Sequence, residues 1–321
     1  MGSISVDKFG CFGKLPVSRE FLVERSAELT RSGFDSWVSE GVALARAPLG
    51  AVFKDRATRF PPYRFLWTMR SGGALVGELG PGQDAAGRIH PFSIFAVLDD
   101  GALHGARASE PARLAGLHAT VADAIIGARS DEDPSRLTGK VREMRTLLPD
   151  EGAEETSYRD YVAAQSCGTF WSAVAGGPLD PVRYQILQGL CETVEYLRGR
   201  NASDVRMGIR FPLPERSAPL AVGVWIDLVA RLFRASIDGC SYFWTDGDGI
   251  DFRPHLLFFF STPTSAQFLA LIDPSSDVES ISYLERPYGG PPEARMNAGL
   301  RAILDDPAAP LRALLDWASL A

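Results

Sequence analysis

Long hydrophobic runs are missing from this sequence. A run such as "HLLFFF" at 255–260 falls far short of the roughly 20 apolar residues that a bilayer-spanning helix needs. The opening "MGSISVDKFG" lacks the basic-then-apolar order of a secretory leader. Val6 also stands where a myristoylation pattern requires Ser or Thr. The expectation is a cytoplasmic protein with no membrane insertion. Cationic excess is missing too. The 33 Lys and Arg are scattered and outnumbered by 40 Asp and Glu, for a net charge of -7, so there is no electrostatic footprint for nucleic acid. The four cysteines, Cys11, Cys167, Cys191 and Cys240, are far apart and form no CxxC pair. They read as buried free thiols, not as a zinc site or a disulfide framework. His90, His104, His118 and His255 show neither HExxH nor paired spacing, which argues against a metal centre. A GxSxG nucleophile elbow is absent, and no internal repeat stands out.

What remains is an ordinary globular composition: 321 residues, 45% hydrophobic and 23% charged, enough for one large or two ordinary domains. Apolar residues from Phe21 to Leu44 recur at helical spacing with a break at Ser32-Gly33, predicting two helices or one interrupted helix. Extended segments at 63–70, 74–81 and 89–99, rich in aromatic and branched residues and separated by glycine turns, predict a strand meander. Helical periodicity returns from 111 to 148, with "DEDP" at 131–134 as a break and cap. The acidic stretch 149–157 reads as a linker, dividing an N-terminal region 1–150 from a C-terminal region 151–321. In the second region helices are expected at 158–166, 168–175 and 181–198, the last opening at Asp180-Pro181. A strand is expected at 205–213, a one-faced amphipathic helix at 220–235, and a hairpin joining "SYFWTDG" to "DFRPHLLFFFS". The fold class is α/β of the α+β kind: a mixed, largely antiparallel sheet packed by helices.

Several stretches could carry chemistry. "FGCFGKLPVSREFL" at 9–22 suggests a phosphate loop, but Lys8 occupies the position of the first P-loop glycine, and Leu15 follows Lys14 where a hydroxyl must reach magnesium. Gly10 and Gly13 do not fit GxGxxG either. Composition leaves a strand end turning into a helix, with Pro16 stopping the strand and Ser18 able to cap the helix. "TDGDGIDF" gathers Asp246, Asp248 and Asp251, but it fails the calcium-loop test and reads better as a hairpin turn. Arg88 could present a guanidinium to a partner, or be a turn arginine in an ion pair. "RFPPYRF" at 59–65 could be a sticky surface edge or a loop packed on the core.

"GCFGKLPVSREFL" resembles the "GxxGKLPxRGDFx" opening of the TagF (ImpM) family of type VI secretion-associated proteins. The resemblance continues collinearly through "FDSWVSEGVALAR" at 34–46, "YRFLWTM", "DAAGRIHPFSIFAVLD" at 84–99 and, after a loosely matched middle, "SYFWTDGDG" with its following strand. The family's Arg-Gly-Asp is replaced here within 17–20, and His90 stands where an aromatic is common. The resemblance implies a non-enzymatic accessory protein. It would act by protein–protein contact as a post-translational, negative regulator linked to the forkhead-associated scaffold protein of the system. No cofactor, metal or catalytic residue is implied. The motif and candidate partner-binding residues are Gly13, Lys14, Leu15, Pro16, Arg19, Trp37, Arg88, Pro91 and Trp244. The alternatives are a metal-dependent phosphatase or other hydrolase built on Asp246, Asp248 and Asp251, or a structural component of the secretion apparatus. Oligomeric state is open.

Overall fold

The computed structural model describes residues 3–103, 108–131, 133–215, 218–286 and 296–321. His104 and most of the "RPYGGPP" loop lie outside them. Strands β1 (Ile4–Val6), β2 (Phe9–Gly13) and β3 (Leu22–Glu24) come first, followed by helices α1 (Ser26–Ser32), α2 (Phe34–Leu49) and α3 (Phe53–Arg59). The meander is β4 (Tyr63–Thr68), β5 (Ala74–Gly80) and β6 (Phe92–Leu98). Helices α4 (Glu110–Arg113), α5 (Ala115–Ser130) and α6 (Pro134–Glu143) lead to β7 (Thr146–Leu148). Then come α7 (Glu151–Ala164), α8 (Cys167–Ala175), α9 (Val182–Leu197), β8 (Gly208–Pro212) and α10 (Ala218–Phe233). The chain closes with β9 (Ser241–Thr245), β10 (His255–Phe259), α11 (Leu269–Ile272), β11 (Ile281–Tyr283), α12 (Ala298–Asp305) and α13 (Leu311–Leu320).

Nine strands form one sheet in the order β11-β8-β10-β9-β4-β5-β6-β2-β3. Every neighbouring pair is antiparallel except β11 and β8. Strands β1 and β7 make a separate antiparallel pair. The central joint of the large sheet is β4 on β9, where Arg64, Phe65 and Leu66 face Trp244, Phe243 and Tyr242, so the sheet runs unbroken from strands early in the chain to strands late in it. Both faces are covered. The two-residue period sends Phe65, Trp67, Phe95, Phe243 and Phe259 into a core beneath α1, α2, α3 and α11. It sends Leu66, Val76, Ile94, Trp244 and Phe258 into a second core under α5 and α10. Strands buried on both sides read as continuous apolar runs, which is why "SIFAVL" and "HLLFFF" show no polar alternation.

The α1–α2 break falls at Gly33 with φ 71, and the "SGG" turn uses positive φ at Gly72 and Gly73, both as expected. Asp133 caps α6 by accepting from the Ser135 N–H at 2.9 Å. Phe60, Pro61, Tyr63 and Phe65 are buried, so "RFPPYRF" packs on the core.

Four expectations are corrected. The acidic stretch 149–157 is no linker, because most of it is the first part of α7, whose Tyr158 and Val162 are buried. Residues directly after "GKLP" do not start a helix: Leu22 is buried while Val23 is exposed, an alternation that suits β3 on the sheet edge, and helix begins only at Ser26. Helix α10 is not one-faced. It is enclosed by α4, α7, α9 and α13, and its buried residues run nearly round it, including Val222, Gly223, Val224, Trp225 and Ile226. The 146–148 end of the expected helical region pairs with β1 as strand.

Gly13 carries the tightest backbone approach at the end of β2. Its φ is +131°, and a Cβ there would lie 2.0 Å from the Pro91 carbonyl oxygen and 2.7 Å from the Phe92 Cα. No rotamer relieves a clash between backbone atoms. Gly13→Val is therefore expected to destabilise the fold by about 3 kcal/mol or more in denaturant melts. Gly116→Ala on α5, where a Cβ meets open space, should leave stability unchanged or raise it by up to about 1 kcal/mol.

Candidate functional site

Strand β2 leaves the sheet at Gly13, and the chain then passes Lys14, Leu15 and Pro16 into a loop that returns at β3. Opposite it, the loop before β6 carries "DAAGRIHP". A buried ion pair joins the two. Lys14 is only 5% exposed, and its Nζ donates to Asp84 Oδ2 at 2.7 Å with the carboxylate fully enclosed. Asp84 Oδ1 accepts from the Ala86 N–H at 2.9 Å and the Arg88 N–H at 2.8 Å, closing a turn that Gly87 permits with φ 80. Arg88 Nε adds a bond to Oδ2 at 2.6 Å, and the far end of its guanidinium donates to the Arg19 carbonyl. The Ala85 N–H donates to the Ser18 carbonyl at 3.0 Å. Burial alone would push the Asp84 carboxyl up. The bonds from Lys14, Arg88 and Ala86 overcome this and hold it well below the usual carboxylate range.

His90 lies beneath the same face. Its Nδ1 donates to the Pro91 carbonyl at 2.8 Å, which leaves Nε2 to accept from the Ser39 hydroxyl at 3.3 Å. Its ring meets Phe12 and Phe21 edge-on at 5.0 and 4.8 Å, and Lys14 Nζ sits 4.7 Å from the Phe21 ring centroid. Burial, with the Lys14 charge adding to it, pushes His90 down to about 4 from 6.5, although its bond to Pro91 opposes the shift.

The fold thus gathers Gly13, Lys14, Leu15, Pro16, Arg19, Arg88 and Pro91, while Trp37 and Trp244 lie elsewhere. Leu15 is buried in the core, and Pro16 and Arg19 are exposed. Arg88 is the turn arginine in an ion pair, with 57% of its side chain exposed. Trp37, on α2, donates its indole N–H to the Thr264 carbonyl at 2.9 Å and packs among Trp67, Phe243 and Phe268. Trp244 is buried on the opposite face of the sheet against His118 of α5. Asp84 and Phe21 were not singled out in the sequence. The available signal for Asp84 was its place four residues before Arg88, where an aspartate can close a turn on the later N–H groups.

The three acidic-turn carboxylates diverge. Asp246 pairs with Arg64 at 2.8 Å, and Asp251 approaches Arg56 at 3.5 Å. Asp248 Oδ1 accepts from the Ile250, Asp251 and Phe252 N–H groups at 2.8, 2.9 and 2.9 Å. Burial would raise its carboxyl, and these bonds lower it. Among the described residues no three His, Cys, Asp or Glu side chains are placed to hold a metal ion, and none of their helices is long and apolar enough to cross a membrane. A cleft of about 1060 Å³ lies away from the two loops, between α8, the start of α9 and the β9–β10 connection.

Comparison with known proteins defines the class. Residues 10–144 match the family model described as the TagF N-terminal domain, Type VI secretion system-associated, a span that contains β2, both loops and the meander. Over that span the chain carries a TagF N-terminal domain, which marks it as type VI secretion-associated. Its fold is similar to that in the crystal structure of PA0076 from Pseudomonas aeruginosa PAO1 at 2.05 Å resolution. The TM-score is 0.51 at 14% identity, covering 88% of this chain and 99% of that one. Comparison with curated protein sequences gives no match.

Two outcomes are expected from this geometry. Burial takes His118 and His255 down to about 3, helped by the Arg64 and Arg210 charges respectively, and His90 to about 4. Unfolding raises these groups toward 6.5, so their stabilising effect is complete above that value and is lost as pH falls below it. Melting temperature should hold near neutral pH and fall below about pH 6.5. His90→Phe should flatten that slope, since His90 alone accounts for about 3 kcal/mol between pH 6.5 and 4. Separately, Lys14→Met should lower the melting temperature at pH 7 by about 5 °C or more, because one partner of a buried pair is lost. The gap from the parent should narrow below about pH 4, as Asp84 protonates in both unfolded chains and its stabilising contribution fades.

Proposed function

We propose that this protein is a non-enzymatic, negative regulator of type VI secretion that works by occupying a surface of the system's forkhead-associated scaffold protein. The observation that carries the reading is the buried Lys14–Asp84 pair with its Arg88 and backbone bonds. These charges sit beneath the loops at the sheet edge, each already engaged within the chain. Their effect is to set the shape of an exposed face made from the two TagF-like motifs. In a hydrolase, by contrast, titratable groups would converge on a cavity that holds substrate, and Asp246, Asp248 and Asp251 point to different partners. On this reading the region 1–150 presents the partner-facing loops, and 151–321 completes the sheet and its helical cover.

The test uses the purified full-length chain and the purified scaffold protein from the same cell. Saturable binding in titration calorimetry is expected, and deleting the gene should raise secretion. Absence of binding, or secretion that falls on deletion, would overturn the proposal in its partner or its sign respectively. Added ATP or GTP with magnesium should leave the melting temperature unchanged.

A further inference from the structure

The exposed side of the two-loop face combines a fixed aromatic ring with flanking guanidinium groups. Phe21 is 43% exposed although its ring stacks on Phe12 at 5.5 Å and meets His90 edge-on. A ring already held from beneath loses little conformational freedom when a partner covers it. Val23, 39% exposed and two residues further along the β3 edge, lies on the same side of the strand, since Leu22 between them is buried. Arg19 is exposed, and its side chain makes no hydrogen bond or ion pair with the described residues. Arg88 is anchored through Nε to Asp84 and through Nη2 to the Arg19 carbonyl, which leaves Nη1 without a partner among the described residues. Lys14 is not part of this surface, because its ammonium is spent on Asp84 underneath.

The charges favour one sign. Lys14 and Asp84 cancel beneath the face, which itself carries Arg19 and Arg88 against Glu20, an excess of positive charge on a chain whose net charge is -7. Glu24, on the far side of Val23, is already paired with Arg142 at 2.7 Å. A complementary surface would therefore carry carboxylates beside an apolar side chain.

We infer that Phe21, Val23, Arg19 and Arg88 dock an acidic segment of the protein partner, with its Asp or Glu carboxylates on the two guanidiniums and an apolar side chain on the Phe21 ring. This deepens the partner-binding reading and rests on it. Arg88 both contacts the segment and braces the turn, and the Phe21 ring also packs on Phe12 and His90, whereas the Arg19 side chain acts by contact alone; Arg19 and Phe21 are therefore varied with melting recorded beside binding.

The experiment measures binding of the purified scaffold protein to the parent chain and to Arg19→Glu, Phe21→Ser and Ile250→Ser, with melting temperature recorded for each. Ile250, 89% exposed on the β9–β10 connection, is the control for loss of a surface apolar group. Arg19→Glu should weaken binding about tenfold or more and reduce its salt dependence, with unchanged melting. Phe21→Ser should weaken binding to a similar degree, and Ile250→Ser should not. If the parent binds and both Arg19→Glu and Phe21→Ser bind equally well, the docking face is wrong while the regulator reading stands. Tighter binding by Arg19→Glu would mean that the partner surface is basic and would also overturn the inference. If the parent itself does not bind, the regulator reading falls and takes this inference with it.

Discussion

A sheet covered by helices on both faces can meet other molecules only at its edges and through the loops that leave it. That constraint governs this protein. Aromatic side chains fill both cores, with Phe34, Trp37, Trp67 and Phe243 on one side and Trp171, Trp225 and Trp244 on the other. Nearly all the large apolar surface is consumed in holding the layers together, at roughly 25 cal/mol per Å² removed from water. The loops around Lys14 and Asp84 sit at the β2–β3 edge, which α6 covers on one face while Phe21 and Val23 stay exposed on the other.

At that edge the chain uses charge in place of apolar packing. Burying an ammonium and a carboxylate carries a desolvation cost that a single contact seldom recovers. Here the carboxylate also accepts from Arg88 and from two backbone N–H groups, so its oxygens are well satisfied. Such an arrangement contributes less to net stability than an apolar replacement could, but it specifies geometry more narrowly. It fixes the separation of two loops that are distant in sequence, and with it the position of the exposed Phe21 ring. Gly13 and Gly82 belong to the same device: a Cβ on Gly82 would strike the carbonyl oxygens of Lys14 and His90, so the loops approach closely only without side chains there.

The two readings of the acidic turn show how local composition misleads about chemistry. Three aspartates within six positions suggest a cation site, yet each side chain satisfies something different. Asp248 organises its own turn, and Asp246 and Asp251 answer arginines on β4 and α3. Proximity in sequence does not produce convergence when the intervening glycines, Gly247 and Gly249, turn the backbone through positive φ.

Much of the fold was legible because its signals are local. The glycine break at Gly33, the meander with its Gly72-Gly73 turn, the Asp133 cap and the β9–β10 hairpin all arise from residue type and spacing over a few positions. The TagF resemblance likewise rested on short collinear motifs, and it pointed to the two loops that form the candidate site. Other features depend on what lies across the fold. Residues 149–157 are acidic enough to look like a linker, but the two buried side chains beyond them, Tyr158 and Val162, draw them into α7. Leu22 and Val23 have no strand pattern long enough to recognise, and become one because β2 offers an edge. Lys14 looked like a surface cation near a partner. Only the assembled sheet brings Asp84 to 2.7 Å from it. Sequence periodicity reports which groups must leave water. Which of them meet, once they have, depends on strand order and on backbone approaches between residues some seventy positions apart.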